Sequence, residues 1–410
     1  MSHLIHDPLT RFIAQVVAIT LLSRAIGSIA RRLGQPLVMA EMIGGIVLGP
    51  SLLGWAAPEI SAVLFTPDSL SVLRLVSQFG LVFFMFLVGL ELDPAHYRGT
   101  NKASVLISQS GIVVPFVLGG ILALWMYPRF GSASTSRLAF VLFTGAAMSV
   151  TAFPVLARIL TEQRLLGTRV GVIAIACAAI DDVTAWCMLA FIVAVARHDD
   201  VSGAVLTTAA ALGYIGLMIG VVRPLLARFA ARVSAPDAMP KNVVAIVVVI
   251  VLLSSWATEL IGIHALFGGF LAGVIMPKEQ GFARALGRRL EDLVVVVFLP
   301  LFFAYSGLRT QIGLLSGTGD WAVCGLIILV ACAGKFGGCA IAARATGFAW
   351  REASAIGLLM NTRGLMELIV LNIGLELGVI SPIVFSMMVI MALVTTLMAA
   401  PLVRRLTAPA

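Results

Sequence analysis

The sequence predicts an all-α polytopic membrane protein of about 13 transmembrane helices, built as an inverted repeat with two discontinuous crossing helices. Three observations predict this fold class: the composition, a series of long apolar segments, and short motifs that recur along the chain. Of the 410 residues, 60% are hydrophobic and 12% are charged, and the mean hydropathy is +1.05. Soluble domains are roughly 45–50% apolar and about 25% charged, so a soluble fold is excluded.

Apolar segments follow one another along the whole chain, and a helix needs roughly 20 apolar residues to cross a bilayer. They cover residues 11–30, 36–53, 72–92, 104–126, 138–160, 170–196, 203–226, 242–260, 264–277, 293–308, 321–344, 352–375 and 380–403. The first has no basic region before it and no small-residue cleavage site after it. We therefore interpret it as a retained helix and not as a signal peptide.

The basic residues are spread among short loops, so the formal charge of +8 does not indicate a nucleic-acid partner. If the N-terminus is outside, most lysines and arginines fall on the inner side. The outer side then holds only Arg11, Arg74, Arg129, Arg137, Arg197 and Arg309. Positive residues favour the cytoplasmic side. The sequence thus predicts a multi-pass protein of the inner (plasma) membrane with its N-terminus outside and its C-terminus in the cytoplasm.

Three motifs recur, each pairing a segment with the one seven positions later. They are Gly145–Thr151 with Gly357–Arg363, Gly34–Gly45 with Gly262–Gly273, and Phe83–Leu90 with Phe302–Leu308. Because seven is odd, the halves would have opposite orientations, which is the inverted-repeat plan of many secondary transporters. We expect a first repeat over residues 1–200, a linker helix over 201–235 and a second repeat over 236–410. We expect no soluble C-terminal regulatory domain after it.

Two adjacent carboxylates, Asp181 and Asp182, lie in the middle of the sixth segment. A charge at that depth costs at least about 2.5–3.5 kcal/mol, so the pair must face protein or a water-filled cavity. The pair predicts a site for a transported ion, with a structural ion pair inside a helix bundle as the alternative. A carboxylate can hold a hard cation such as Na+ or K+, or a proton, but not both fully at once. That exclusion is the property an exchanger requires.

Two segments carry helix breakers at corresponding positions of the two halves. Ser149 and Thr151 precede Pro154 in the fifth segment, and Asn361 precedes Gly364 in the twelfth. Broken helices expose carbonyl oxygens near the bilayer midplane, where coupling-ion sites form. We therefore expect the three polar side chains to help bind the ion or to cap the half-helices. The alternative is a pair of kinks without function.

Lys335 and Arg363 lie inside apolar segments and are the natural partners for buried acids. Lys335 either neutralises an aspartate when the site holds no cation or only locks two helices together. Glu367 follows Arg363 by four residues, so the two share a helix face. We interpret them as a structural ion pair, with a role in the ion path or in coupling as the alternative.

Four stretches carry a resemblance to the monovalent cation:proton antiporter-2 family, and the last two are particularly close to its plant cation/proton exchanger branch. They are Gly34–Ser51, Phe86–Glu91, Ser149–Leu160 and Met360–Leu368. The resemblance implies a homodimer in which a mobile core domain carries the ion past a dimer domain by an elevator-like movement. It also implies that Asp182 is the essential ion-binding aspartate and that Lys335 pairs with the acidic position before it, Asp181.

The predicted function is secondary antiport of Na+ or K+ against H+, with a role in pH homeostasis. A cation channel and a proton-coupled transporter of another solute remain the alternatives. An enzyme is not expected, because the five histidines form no metal-ligand motif. No cofactor is expected; the ligands are the transported cation and the proton. The five cysteines all lie in apolar segments and are interpreted as packing residues.

Overall fold

A computed structural model describes residues 7–32, 35, 37–91, 102–131, 136–165, 167–197, 201–231, 240–278 and 281–407. These ranges are helical and contain no β-strand. The α-helices are α1 (Pro8–Arg32), α2 (Leu37–Leu48), α3 (Leu53–Ala56), α4 (Pro58–Leu64), α5 (Pro67–Glu91), α6 (Lys102–Phe130), α7 (Arg137–Ser149), α8 (Phe153–Glu162), α9 (Arg169–Arg197), α10 (Val201–Leu217), α11 (Arg223–Ala230), α12 (Lys241–Ile261), α13 (Ala265–Ile275), α14 (Phe282–Leu293), α15 (Leu299–Leu308), α16 (Thr318–Cys332), α17 (Gly338–Ala345), α18 (Trp350–Met360), α19 (Leu365–Glu376) and α20 (Pro382–Thr407).

Short π-helical segments continue three of these helices without a break in the chain direction. Met218–Val222 joins α10 to α11, Val294–Phe298 joins α14 to α15, and Ala333–Gly337 joins α16 to α17. A single 3₁₀ turn, Ile312–Leu314, follows α15.

The all-helical membrane fold predicted from the sequence is confirmed. Within the described ranges, 10 helical stretches are long and apolar enough to cross a membrane. Three predicted segments, 138–160, 264–277 and 352–375, contain only shorter helices: α7 and α8, α13, and α18 and α19. The total of about 13 crossing segments and the inverted repeat therefore stay predictions.

The chain divides into two compact units, which do not follow the predicted repeats. The first consists of the described residues of Met1–Ser69, Gly99–Leu189 and Phe303–Ala410; the second consists of those of Leu70–Arg98 and Ala190–Phe302. The predicted repeat boundaries, after residues 200 and 235, fall next to or within stretches outside the described residues. They stay predictions.

The first unit has an apolar core to which α6, α8, α9, α17, α18 and α20 all contribute. Ile107, Leu156, Cys177, Leu359 and Val403 are among its fully buried side chains. The Asp181–Asp182 pair follows the part of α9 that belongs to this core and is itself buried, so unpaired charges there are costly.

Two helices of the first unit are broken where the sequence predicts it. The backbone between α7 and α8 is non-helical at Val150–Ala152, and that between α18 and α19 is non-helical at Asn361–Gly364. The breaks are in direct contact, since the N–H of Ala152 donates to the carbonyl oxygen of Thr362 at 3.0 Å. Four half-helices therefore begin or end around one point of this unit.

The second unit contains a close crossing of α5 and α13. A Cβ added at Gly89 would collide with the carbonyl of Phe270, and one added at Gly273 would collide with the carbonyl of Phe86. Lys278 donates from Nζ to the carbonyl oxygens of Gly89 at 3.2 Å and Gly273 at 3.3 Å. One ammonium group thus binds the C-terminal carbonyls of both helices, where it opposes the helix dipoles.

Candidate ion-binding site

Asp181, on α9, is the centre of a buried polar cluster. Its Oδ2 accepts hydrogen bonds from Nζ of Lys335 and from Oγ1 of Thr151, both at 2.7 Å. Its Oδ1 accepts a hydrogen bond from Oγ of Ser108, on α6, at 2.5 Å. All four residues are fully withdrawn from solvent. Three donors and one positive charge together replace the solvation that an ionised carboxylate loses on burial.

Lys335 reaches this cluster from the π-helical segment Ala333–Gly337. Its Nζ also donates to the carbonyl oxygen of Ser149, the last residue of α7, at 2.6 Å. Gly334 lets the segment lie against α6, because a Cβ there would come within 2.8 Å of the Cα of Pro115. Short π-helical insertions of this kind are frequent at functional sites. Lys335 therefore connects α9 to the first helix break, and its segment packs against α6.

Asp182 follows Asp181 on α9 and is 1% exposed. Consecutive positions on a helix are separated by about 100° around its axis, so the two side chains leave α9 in different directions. Two aspartates and one lysine leave one negative charge. The ammonium group of Lys335 is bonded to Asp181.

The two polar residues predicted at the first break do different things. Thr151 contacts Asp181, and its Oγ1 is also 3.3 Å from the carbonyl oxygen of Met360, at the end of α18. The hydroxyl of Ser149 instead lies 2.8 Å from the carbonyl of Gly145 and 3.0 Å from that of Ile112. Ser149 thus meets Lys335 through its own carbonyl, while its hydroxyl contacts backbone carbonyls of α7 and α6.

Asn361 is the first residue of the second break and is 1% exposed. Its Nδ2 lies 3.5 Å from Sγ of Cys332. Its Oδ1 is buried and has no hydrogen-bond partner among the described residues. A buried amide oxygen without a donor is a suitable ligand for a hard cation, which prefers oxygen.

Arg363 crosses from the second break to the first. Its guanidinium donates to the carbonyl oxygens of Met148 at 2.6 Å and Ala147 at 3.1 Å, both in the last turn of α7. Its Nη1 lies 3.4 Å from Oε2 of Glu367, and neither side chain is exposed. The predicted pair is therefore present, but the shortest contacts of Arg363 are with backbone. Thr396 holds the backbone of Arg363 by accepting from its N–H at 2.8 Å and donating to its carbonyl at 2.7 Å.

Ser108 and Thr396 were missed by sequence reasoning. Ser108 belongs to the polar run Ser108–Ser110 inside an otherwise apolar predicted segment, so a signal was present. Thr396 offered none, because a hydroxyl in a membrane helix commonly bonds to its own preceding turn. The structure brings Asp181, Lys335, Thr151 and Ser149 into one network, and it places Arg363 and Glu367 beside the same end of α7.

Broken helices in contact around a buried carboxylate–ammonium pair are typical of one class of protein, the polytopic secondary transporters. A model of the transmembrane sodium/hydrogen exchanger family matches residues 17–407. The chain belongs to this family. The predicted resemblance to cation/proton antiporters is thereby confirmed.

Individual relatives agree with this assignment. The chain is 44% identical over 398 residues to the Na(+)/H(+) antiporter NhaS4 of Synechocystis sp., and the match covers 97% of each chain. It is 44% identical over 397 residues to cation/H(+) antiporter 17 of Arabidopsis thaliana, covering 95% of this chain and 48% of that one. It is 33% identical to K(+)/H(+) antiporter 1 of Saccharomyces cerevisiae, covering 97% and 46%. The chain thus spans about half the length of the plant and yeast relatives.

The fold is shared with a solved structure. The sodium proton antiporter MjNhaP1 from Methanocaldococcus jannaschii superposes with a TM-score of 0.69 at 13% sequence identity, covering 97% of this chain and 96% of that one. At this identity the likeness establishes the fold alone.

Proposed function

We propose that this protein is a secondary active antiporter that exchanges Na+ or K+ for H+ across the plasma membrane by alternating access of an elevator type. The observation that carries the proposal is the Asp181–Lys335 pair, buried at the contact of two helix breaks, with Asp182 beside it. The relatives are named for Na+, K+ or cations in general. Both ions therefore belong in the proposal.

In this mechanism Asp182 is the group that binds the proton and the cation in turn. Asp181 is already neutralised by Lys335, so one proton or one monovalent cation at Asp182 makes the centre electrically neutral. A site that is neutral in either loaded state, and negative when empty, crosses the membrane at lower cost when loaded. That difference couples the two ions, because the empty carrier is disfavoured.

Oxygen ligands from the two breaks complete the cation site. Thr151 supplies a hydroxyl that already lies between Asp181 and the carbonyl of Met360. Asn361 supplies a buried amide oxygen. The carbonyl of Ser149 supports the site by accepting from Lys335, and Lys335 and Arg363 together place positive charge at the negative end of the α7 dipole.

The inverted repeat is part of the proposal, and two glycine contacts support it. In the first unit a Cβ on Gly307 would collide with backbone at Gly45, and in the second unit a Cβ on Gly273 would lie 2.8 Å from the Cα of Gly89. The recurring motifs pair Gly45 with Gly273 and Gly89 with Gly307. The same close approach thus recurs between equivalent segments of the two halves.

The remaining features of the proposal rest on loop charges, the recurring motifs and family resemblance. They are a homodimer, an outside N-terminus and cytoplasmic C-terminus, the repeats over residues 1–200 and 236–410 with a linker helix between them, and a contribution to pH homeostasis. No cofactor is part of the mechanism.

Transport by the purified protein in liposomes tests the proposal. Vesicles carry an internal pH-sensitive dye and an imposed proton gradient, and Na+, K+, Li+ or choline is added outside. Antiport predicts proton movement with Na+ or K+ and none with choline. Protein-free vesicles and the Asp182→Asn variant are the controls. Single-channel currents, or cation flux without proton movement, would instead establish a channel.

A further inference from the structure

Glu367, in the first turn of α19, is a fully buried acid that the proposed exchange cycle does not use. Its exposure is 0%, and both carboxylate oxygens lie inside the protein. Neither oxygen has a hydrogen-bond partner among the described residues. Asp181 is different, since three donors reach its carboxylate. Burying an ionised carboxylate without hydrogen bonds costs far more than burying the neutral acid.

The positive neighbour of Glu367 is occupied elsewhere. Arg363 donates to the carbonyls of Met148 and Ala147 at 2.6 and 3.1 Å, while its contact with Glu367 is longer, at 3.4 Å. These carbonyls end α7 and carry part of the negative end of its dipole. The charge of Arg363 is therefore balanced by α7 as well as by Glu367.

Few other charges of the described residues act on Glu367. The basic groups near enough are Arg363 and Lys335, and Lys335 is bonded to Asp181. α15, which has no charged residue, contacts α19 through the hydrogen bond from Asn372 to Ser306 at 2.8 Å, and the two helices packed most extensively against α19 are α7 and α20. Their charged residues are Arg137, at the start of α7, and Arg404 and Arg405, in the last turn of α20. No acid or base from those two helices faces Glu367 near the breaks.

We propose that Glu367 is a proton-binding site separate from the Asp181–Asp182 pair, and that it holds a proton while Arg363 is bound to the end of α7. Release of this proton to water leaves a carboxylate, which competes with the carbonyls of Ala147 and Met148 for the guanidinium. Deprotonation therefore weakens the hydrogen bonds by which Arg363 joins the two broken helices. The protonation of Glu367 does not rest on the proposed function.

Infrared difference spectroscopy of the purified full-length protein across a pH step tests the protonation. A carboxylic acid has a C=O stretching band that a carboxylate lacks. We expect such a band at neutral pH in the wild type and its reduction in Glu367→Gln. The matched control is Glu376→Gln, on the same helix, which removes a partly exposed glutamate 3.5 Å from Arg309 and should leave the band unchanged. An undiminished band in Glu367→Gln would overturn the proposal.

A second measurement keeps the proposal testable if Glu367→Gln does not fold. Isotope-labelled glutamate in the wild-type protein shifts any glutamic-acid band and leaves aspartic-acid bands in place. Absence of a shifted band, with all acid signal in the aspartate region, would refute a protonated Glu367. In folded Glu367→Gln, the melting temperature at neutral pH should match the wild type, because glutamine resembles the neutral acid. A large fall at every pH would show instead an obligatory ion pair with Arg363. Neither readout depends on transport.

Discussion

Nζ of Lys335 lies 2.7 Å from Oδ2 of Asp181, and both groups are withdrawn from solvent. This pairing makes two adjacent aspartates unequal. Besides the ammonium group of Lys335, the hydroxyls of Ser108 and Thr151 donate hydrogen bonds to the carboxylate of Asp181. In the proposed mechanism Asp182 carries the charge that remains, and the following predictions depend on that assignment.

The Asp182→Asn variant should lose exchange down to the level of protein-free vesicles, because the amide cannot bind a proton or supply a negative charge. The measurement is dye recovery after Na+ or K+ addition to proteoliposomes. Asp320→Asn is the control, since it removes an acid that pairs with Arg129 at 2.6 Å outside the site. Cation-dependent proton flux in folded Asp182→Asn would contradict the assignment.

Thr151→Ala and Asn361→Ala should weaken apparent cation affinity more than they lower the maximal rate. Removing a group that bonds to a charged partner costs about 1.5–3 kcal/mol, which corresponds to about 10-fold or more in affinity. Rates are measured over a range of Na+ and K+ concentrations. Thr395→Ala is the matched control, because this buried hydroxyl donates to Met391 in its own helix. Unchanged cation affinity in both site variants would show that the two helix breaks are kinks without a function in cation binding.

Ser108→Ala should destabilise the protein by about 1–3 kcal/mol, because Asp181 loses one of its three donors while remaining buried. Unfolding of the purified protein in detergent measures the difference. Ser77→Ala is the control: Ser77 is also 0% exposed, but its hydroxyl has no hydrogen-bond partner among the described residues. Equal losses in the two variants would show that Ser108 contributes packing alone.

Lys335→Gln should change the pH dependence of apparent cation affinity. In the wild type, protons and cations compete for the carboxylates, so lowering the pH should raise the cation concentration needed for half-maximal exchange. Without Lys335, the carboxylate of Asp181 has no positive partner and competes for the same protons and cations. The pH dependence of the apparent cation affinity should therefore shift. The variant should also be about 3–5 kcal/mol less stable, because a buried carboxylate loses its partner.

Lys241→Gln, which alters an exposed lysine at the start of α12, is the control for the loss of a positive charge. An identical pH profile in folded Lys335→Gln would make Lys335 a structural residue without a role in coupling.

Gly45→Ala should destabilise the first unit by about 1–3 kcal/mol, the usual cost of overpacking. Its Cβ would lie 2.7 Å from the Cα of Ala304, so the helix backbones would have to separate. Gly325→Ala is the matched control, since nothing lies within 4 Å of its Cβ position. Alanine there should be neutral or stabilise α16 by about 0.5–1 kcal/mol. Thermal unfolding distinguishes the two.

The sequence by itself determined the fold class, because a helix that crosses lipid must be apolar over its whole length and that property is local. It also placed the acid pair within its helix and located both breaks, since proline, glycine and polar residues interrupt an apolar run. It named Lys335 as a partner for the aspartates, because a buried ammonium needs an acid. It did not establish how many segments cross the membrane, since three of the apolar segments contain only shorter helices.

Only the tertiary structure decided which atoms meet. In the structure Lys335 and Ser108 both donate to the carboxylate of Asp181, and Arg363 donates to the carbonyls at the end of α7. These hydrogen bonds join residues 154, 73 and at least 215 positions apart in the chain. Hydropathy and helix breakers report the environment of one segment, whereas a hydrogen bond over such a separation depends on how several helices pack. The carbonyl acceptors belong to the backbone, which has the same chemistry at every residue, so no residue type marks them in advance.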